Sequence, residues 1–517
     1  MVQVNVIVQD KRGQPVTGLT ADDFEIRDQG KVQRISVFST ESNQQPAVLP
    51  ASLPAGTFSN MPAQAGAPQN LTVILFDTLN TPDADQPTAK SGLIDFLKEL
   101  RPQDRVAIYG LGNALHVIHE FTGNSESLVR AISRYKVHTT KELAGSAVEV
   151  VDNASMAQDA QERAIIVQMD KFLNESNQLA ADVYIERRMA LTLQALESIS
   201  HHLTALPGRK SLVWVSGAFP FSYGKDNFEV NQANPGSKNF LNVISQVAQA
   251  ITNANVAIYP VDARGFMSTS ILNPSTSAAT TLNSARQAQR TDAGVMDQLL
   301  SSRSTMNELA DKTGGRALYN TSDVHGAIRQ ALDDSRVTYT LGYYPTDTNF
   351  NGRFRTIKVA VNRPGTQLRY RLGYFAFPDQ PMDESHRQSA ISDAARGPLD
   401  ASALGFVARV KKPSAGSTRW EFALDIDIKS ITLEPEQDSW TGGMDLVFAQ
   451  LGSSGEIVTS VGSPIPLKFT AAQRQQLLKD GLVLNIPLDI AAKCDRLRII
   501  LRDARSGALG SVTVPLQ

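Results

Sequence analysis

Valines at positions 2, 4, 6 and 8 alternate with other residues, which is the period-2 signature of a half-buried strand. A turn at Asp10-Lys11-Arg12-Gly13 follows, and two further short strands fit 23–28 and 32–39. Three strands in about forty residues bury too little to stand alone, so they need partners from elsewhere in the chain. Residues 46–69 carry Pro46, Pro50, Pro54, Pro62 and Pro68 among Ala, Gly and Ser, which reads as a linker.

The period then changes. LTVILFD (71–77) is a continuous apolar run ending in Asp, as expected of a strand covered on both faces. A helix over 87–100 places Leu93, Ile94, Leu97 and Leu100 at helical spacing, and strands at 105–111 and 116–121 follow. A short helix fits 125–134. The stretch 155–206 reads as mostly helical, with Met189, Leu193, Leu196, Ile199, Leu203 and Leu206 on one face and Pro207-Gly208 as its stop. The strand 211–216, a helix over 238–253, the strand 256–261, a Ser/Thr/Ala-rich insertion at 266–292, a helix over 294–312, a strand at 316–320 and a helix over 323–334 complete the run. Six strands alternating with helices predict a doubly wound, six-stranded parallel sheet, Rossmann-like in layout.

Period 2 returns at 337–345, 353–361 and 367–375. A small echo links Tyr339-x-Leu341-Gly342-Tyr343 to Tyr370-x-Leu372-Gly373-Tyr374, read as two strands under similar packing demands. The economical arrangement is a β-sandwich built from 1–45 and 336–378, with an α/β domain at 71–335 inserted through a 46–70 linker. A polar linker at 379–398 leads to a second, C-terminal β-sandwich over 399–517. One short helix fits 471–480, with Thr470 and Gln473 as a capping box.

Composition narrows the function. Lys plus Arg is 50 against 52 for Asp plus Glu, a net charge of −2, so no basic excess exists to neutralise a phosphate backbone and nucleic acid is disfavoured as a partner. One cysteine, Cys494, excludes an internal disulfide and a cysteine-based zinc site; an inert thiol is expected. No apolar run approaches the roughly 18 residues of a transmembrane span. The chain opens on a strand with no leader, which suits either a cytosolic protein or a start downstream of a removed one. Signatures of P-loop NTPases, HExxH zinc proteases and GxSxG hydrolases are missing. Gly110-x-Gly112 lacks the third glycine of a dinucleotide fingerprint. His116 and His119 face opposite sides of a strand, and His201-His202 diverge on a helix. Arg209-Lys210 reads as a solvated turn, and Trp214 as core.

In open α/β sheets ligands gather at the carboxyl ends of strands. Asp77-Thr78-Leu79-Asn80-Thr81, Ser216-Gly217 and Asp262 stand at three such ends. These oxygens suit a hard cation; alternatively, Asp77 and Asn80 cap the helix or hold the loop by side-chain bonds.

The landmarks together resemble a known family. VQDKRGQPVTGLTADDFEIRDQGKVQRISVFS, VILFDTLNT, DFLKELRPQDRVAIYGLG, LPGRKSLVWVSGAFP, YPVDARG, LGYYP and RLGYF resemble the bacterial "VWFA-related" subfamily of von Willebrand factor A-like proteins, first described in acidobacterial proteins. The resemblance covers about 1–376 and implies a metal-ion-dependent adhesion site or its relic, holding Mg²⁺ or Mn²⁺. Asp77 matches the Asp of the family's Asp-x-Ser-x-Ser loop, and Thr81 stands for its second Ser. Leu79 replaces the first Ser and cannot ligate. Ser216-Gly217 stands where the family places an Asp, and Thr139 or Thr140 occupies the region of a further Thr. The implied site is degenerate: Asp77, Thr81 and Ser216 as ligands, with Asn80, Gly217 and Asp262 on the partner-binding rim. The expected function is non-enzymatic adhesion to a protein or peptide partner, outside the cytoplasm as family members commonly are. The alternatives are a hydrolytic enzyme or enzyme subunit built on Asp77 and Asp262 at the same rim, and an envelope component that self-assembles through its C-terminal sandwich.

Overall fold

The computed structural model describes residues 1–42, 53–61, 70–101, 103–136, 140–145, 151, 153–204, 206, 209–218, 222–223, 228–229, 247, 250–251, 254–264, 303–319, 323–334, 337–376, 384–413 and 419–516. The expected helix stop at Pro207-Gly208, the 266–292 insertion, Thr139 and most of the 238–253 helix lie outside the described residues. The chain is mixed α/β, with several sheets.

The N-terminal strand Val2–Gln9 pairs antiparallel with Val337–Tyr343, Val4 opposite Leu341, and with Gln367–Arg369. Val37–Ser42 closes that sheet on the other side of Val337–Tyr343. A second four-stranded sheet orders Gly373–Phe375, Phe354–Val361, Phe24–Asp28 and Lys31–Gln33. Val4, Val6, Ile26, Tyr339, Leu341 and Ile357 fill one core between the two. Alternation is what makes this possible, since successive side chains point to opposite faces. The echo noted in the sequence has a physical basis: the Tyr343 and Tyr374 hydroxyls both donate to Oδ2 of buried Asp28, at 3.0 and 2.9 Å.

The α/β sheet has five strands in the order Val256–Asp262, Arg209–Ser216, Asn70–Asp77, Val106–Leu111, Leu115–Thr122. The first four are parallel. Two features differ from a six-stranded parallel sheet. Leu115–Thr122 runs antiparallel to Val106–Leu111, with Gly110 opposite His116. Residues 112–114 allow only a hairpin, because a parallel return needs a crossover of a dozen residues or more. The stretch around Leu318 adds a single parallel bridge to Val261 rather than a strand. Every residue of Arg209–Ser216 and Val256–Asp262 is buried, as a sheet covered on both faces demands. Arg209 and Lys210 are therefore not a solvated turn. They start the strand, with Arg209 donating to the Tyr259 hydroxyl and the Gly314 carbonyl and Lys210 to the Leu206 carbonyl.

Helices Gln86–Lys98, Ser125–Arg134 and Val324–Asp334 cover one face through Leu93, Phe96, Leu128, Ile132 and Ile328. The other face receives Met189, Leu193, Leu196 and Leu203 from the second half of the long helix Ala160–Leu203.

The C-terminal region packs two antiparallel sheets around Phe406, Phe422, Leu424, Phe448 and Ile499. The helix Ala471–Asp480 starts with the Thr470/Gln473 capping box in place. Both stretches read as linkers contribute structure. Thr57–Ser59 adds an edge strand to Phe406–Lys411, Phe58 opposite Ala408. Asn60 anchors it, its amide donating to the Ala401 and Leu404 carbonyls and accepting the Phe406 N–H. Within 379–398 the helix Glu384–Arg396 lays Ala390, Ala394 and Ala395 against Ala449 and Ile500, and Arg387 grips buried Asp445 with two bonds of 2.9 and 2.8 Å. Among the described residues no helix is long and apolar enough to cross a membrane.

Candidate functional site

Four parallel strands end at the same edge. Asp262 is in register with Ser216, and Asp77 follows the Phe76–Val215 pair. The edge thus collects Asp77, Ser216 and Asp262 in one neighbourhood, with Gly217 beside them.

Asp77 is 1% exposed, and its oxygens are occupied by protein donors. Oδ1 accepts the backbone N–H of Asn80 at 2.9 Å. Oδ2 lies 2.9 Å from three groups: the Asn80 amide, the Trp214 indole N–H and the Ser216 hydroxyl, whose single proton is shared between Asp77 and the Ala218 carbonyl at 2.7 Å. Burial pushes the Asp77 carboxyl above its ordinary range, and these hydrogen bonds pull it back.

The positive charge comes from elsewhere. Arg188, in the long helix, donates from Nε and Nη2 to the Asn80 carbonyl oxygen at 3.1 and 2.9 Å. Asn80 therefore stands between guanidinium and carboxylate, with its oxygen toward the cation and its amide toward the anion. Burial lowers the Arg188 pKa, and the Asp77 charge acts against that shift. Thr192, one turn after Arg188, accepts a second proton of the Asn80 amide at 3.0 Å.

The remaining rim residues serve the loop. The Thr81 hydroxyl donates to the Asp77 carbonyl and accepts the Gly217 N–H at 2.9 Å. A Cβ on Gly217 would meet Pro82 Cδ at 2.7 Å and Thr81 Cα at 3.1 Å, so the two loops touch where only glycine fits. Gln86 ties the loop to its helix through the Thr81 carbonyl at 2.7 Å. Asp262 is clamped by Arg264, whose Nε and Nη2 each sit 2.9 Å from one carboxylate oxygen. Gly110 makes room for Tyr135, whose hydroxyl would lie 2.7 Å from an added Cβ. Thr140 is spent on the Leu143 N–H at 3.1 Å.

This donor set does not fit a divalent cation. A hard cation needs several oxygens with lone pairs converging on one point. Here Asp77 Oδ2 already faces three N–H or O–H groups, Thr81 faces the backbone, and Leu79 is buried where a ligating hydroxyl would stand. Among the described residues no group of three His, Cys, Asp or Glu side chains could hold a metal. The geometry is that of a loop held by internal bonds, with Arg188 supplying charge to a network that a cation would otherwise neutralise.

Arg188, Trp214 and Thr192 belong to the hydrogen-bond network of this edge, a part the sequence did not assign to them. Arg188 and Thr192 sit i and i+4 within the helix stretch that buries Met189, Leu193 and Leu196; a charged and a hydroxyl residue inside a buried stripe is a signal of an internal partner. Trp214 is core, as expected, but its indole N–H has a specific acceptor.

No family model matches the chain, and no curated protein matches it. Solved structures to which it is similar include a point mutant of the PilB minor pilin from Streptococcus sanguinis, at 9% identity and a TM-score of 0.30, covering 53% of this chain and 63% of that one. A von Willebrand factor type A protein from Catenulispora acidiphila is similar at 8% identity and a TM-score of 0.25, covering 70% and 81%. The vWF domain of the type V pili tip protein Mfa5 from Porphyromonas gingivalis is similar at 11% identity and a TM-score of 0.18, covering 33% and 44%. The chain thus spans less than two thirds of the pilin's length, and solved structures of von Willebrand factor A type are among those it is similar to.

Proposed function

We propose that this is a non-catalytic, protein-binding protein of the extracytoplasmic space, whose α/β rim engages a protein or peptide partner without a bound cation. The supporting observation is the engagement of Asp77 by Asn80, Trp214 and Ser216 with Arg188 behind them. A preorganised loop presents a fixed surface and spends little ordering entropy on binding. The tip of that surface is Pro82-Asp83-Ala84, exposed and stapled from below by Thr81, Gly217 and Gln86. The extracytoplasmic placement and the adhesive role rest on the family resemblance of residues 1–376.

Hydrolysis at the same rim is the weaker reading. It requires a nucleophile paired with a base, whereas Asp77 is enclosed and Asp262 is held by Arg264 in a bidentate fork.

The test is affinity capture from the producing organism's own extract, with wild type and Ala84→Arg as baits, with and without EDTA. The expected result is a specific partner retained in EDTA and lost with Ala84→Arg. Capture abolished by EDTA, or hydrolytic turnover that Asp77→Asn removes, would overturn the proposal.

A further inference from the structure

The long helix Ala160–Leu203 has two unlike halves. The second half is embedded in the α/β domain. The first half turns a polar side inward: Asp170 accepts from Asn153, and Asn174 bonds both ways with Val151. Five of its large apolar side chains point the other way. Ile165, Met169, Phe172, Leu179 and Val183 are each 62–69% exposed.

Their spacing is 4, 3, 7 and 4, and exposed Ser176 fills the gap to give 4, 3, 4, 3, 4. This is a heptad seam, with Ile165, Phe172 and Leu179 at one core position and Met169, Ser176 and Val183 at the other. At 3.6 residues per turn the seam stands roughly opposite the side occupied by Asp170, Asn174 and Ala181. A 3.5-residue apolar repeat is the pattern of a helix that packs along another helix, not of one resting on a sheet. A lipid surface suits it poorly, since residues 160–187 carry five acidic against three basic side chains, a net charge of −2.

We infer that the exposed heptad seam of residues 165–183 is a homodimer interface, pairing antiparallel with the same seam of a second copy of this chain. The pattern is self-complementary in that orientation. Ile165 lies opposite Val183, Met169 opposite Leu179, and the bulkiest residue, Phe172, opposite the smallest, Ser176. Parallel pairing would instead stack Phe172 on Phe172 and Ser176 on Ser176. It would also crowd two α/β domains at the same end of the arm, whereas antiparallel pairing sets them at opposite ends and aligns the helix dipoles favourably. At roughly 100 Å² per large apolar side chain, the two seams with their flanking residues remove on the order of 1,200 Å² from water, the lower bound for a specific stable interface.

Sedimentation velocity of the full chain from about 1 to 100 µM tests this. Wild type is expected to be a dimer, and Phe172→Glu and Leu179→Glu monomers with unchanged far-UV circular dichroism, because these side chains touch little in the single chain. Val461→Glu, at an exposed apolar position of the C-terminal sandwich, is expected to remain dimeric. In a Cys494→Ala background, Leu173→Cys is expected to cross-link to itself and Ser176→Cys is not, since only antiparallel pairing brings the 173 positions together. A wild type that stays monomeric, seam variants that stay dimeric, a dimer lost with Val461→Glu, or self-cross-linking at 176 would overturn the inference.

Discussion

Replacing Arg188 with Met removes the cation that donates to Asn80 beside Asp77 while keeping most of the buried stem. Both Arg188 bonds to Asn80 disappear, and Asn80 is fully buried, so its carbonyl oxygen is left without those donors. Leaving a buried charge uncompensated costs about 3–5 kcal/mol for a direct ion pair. Here the guanidinium acts through one intervening amide, so about 2–3 kcal/mol is expected. Asp77→Asn alone forfeits charge-assisted bonds from Trp214 and Ser216 and sets an amide against the Asn80 N–H, for about 1–2 kcal/mol. If Arg188 serves the Asp77 charge, the two losses overlap, and the double variant is expected to be about 1–2 kcal/mol more stable than additivity predicts. The pH dependence carries the sign. The folded pKa of Asp77 is raised above its unfolded value, so the folded state holds the proton longer. Its contribution is therefore present at low pH and lost as pH rises through the folded value. Arg188→Met raises that value further, so the variant is expected to gain stability relative to wild type on acidification. Trp214 is one of three tryptophans; with Trp420 and Trp440 changed to Phe, urea unfolding followed by indole fluorescence reports on the α/β domain alone. Additivity within about 0.5 kcal/mol would refute the coupling.

Two further outcomes follow from the packing. Burial and the Asp28 carboxylate beside it push the Tyr374 hydroxyl up to about 12. With the folded value above the unfolded value of about 10, the sandwich is expected to keep this stability below pH 10 and lose it as pH rises toward 12; Tyr374→Phe should cost about 1 kcal/mol at neutral pH and flatten the alkaline slope of thermal unfolding. Gly217→Ala places a methyl 2.7 Å from Pro82 Cδ, so the two rim loops must part; about 1–3 kcal/mol of destabilisation is expected by urea unfolding, with faster amide exchange at 78–82.

How much of this was legible in the sequence depended on distance along the chain. LTVILFD and SLVWVS announce buried strands because every position is apolar or small, and their last residues mark the edge where Asp77 and Ser216 meet. The direction of Leu115–Thr122 was not contained in its own composition; it follows from the short connection before it. Thr57–Ser59 is too short to show alternation, and its pairing with Phe406–Lys411 lies far away in sequence. Arg188 stands 108 positions from Asn80, and nothing local connects a helical arginine to a strand-end loop. The heptad at 165–183 is written plainly in the residues, but reading it as an interface required knowing that the helix turns its other side inward.

Three protein donors on Asp77 Oδ2 and one on Oδ1 leave too few free lone pairs to assemble a cation site at the rim. Electron paramagnetic resonance of Mn²⁺ titrated into wild type and Asp77→Ala tests this directly: the free-ion signal is expected to rise identically in both. A stoichiometric loss of that signal in wild type, reversed by excess Mg²⁺ and missing in Asp77→Ala, would contradict it.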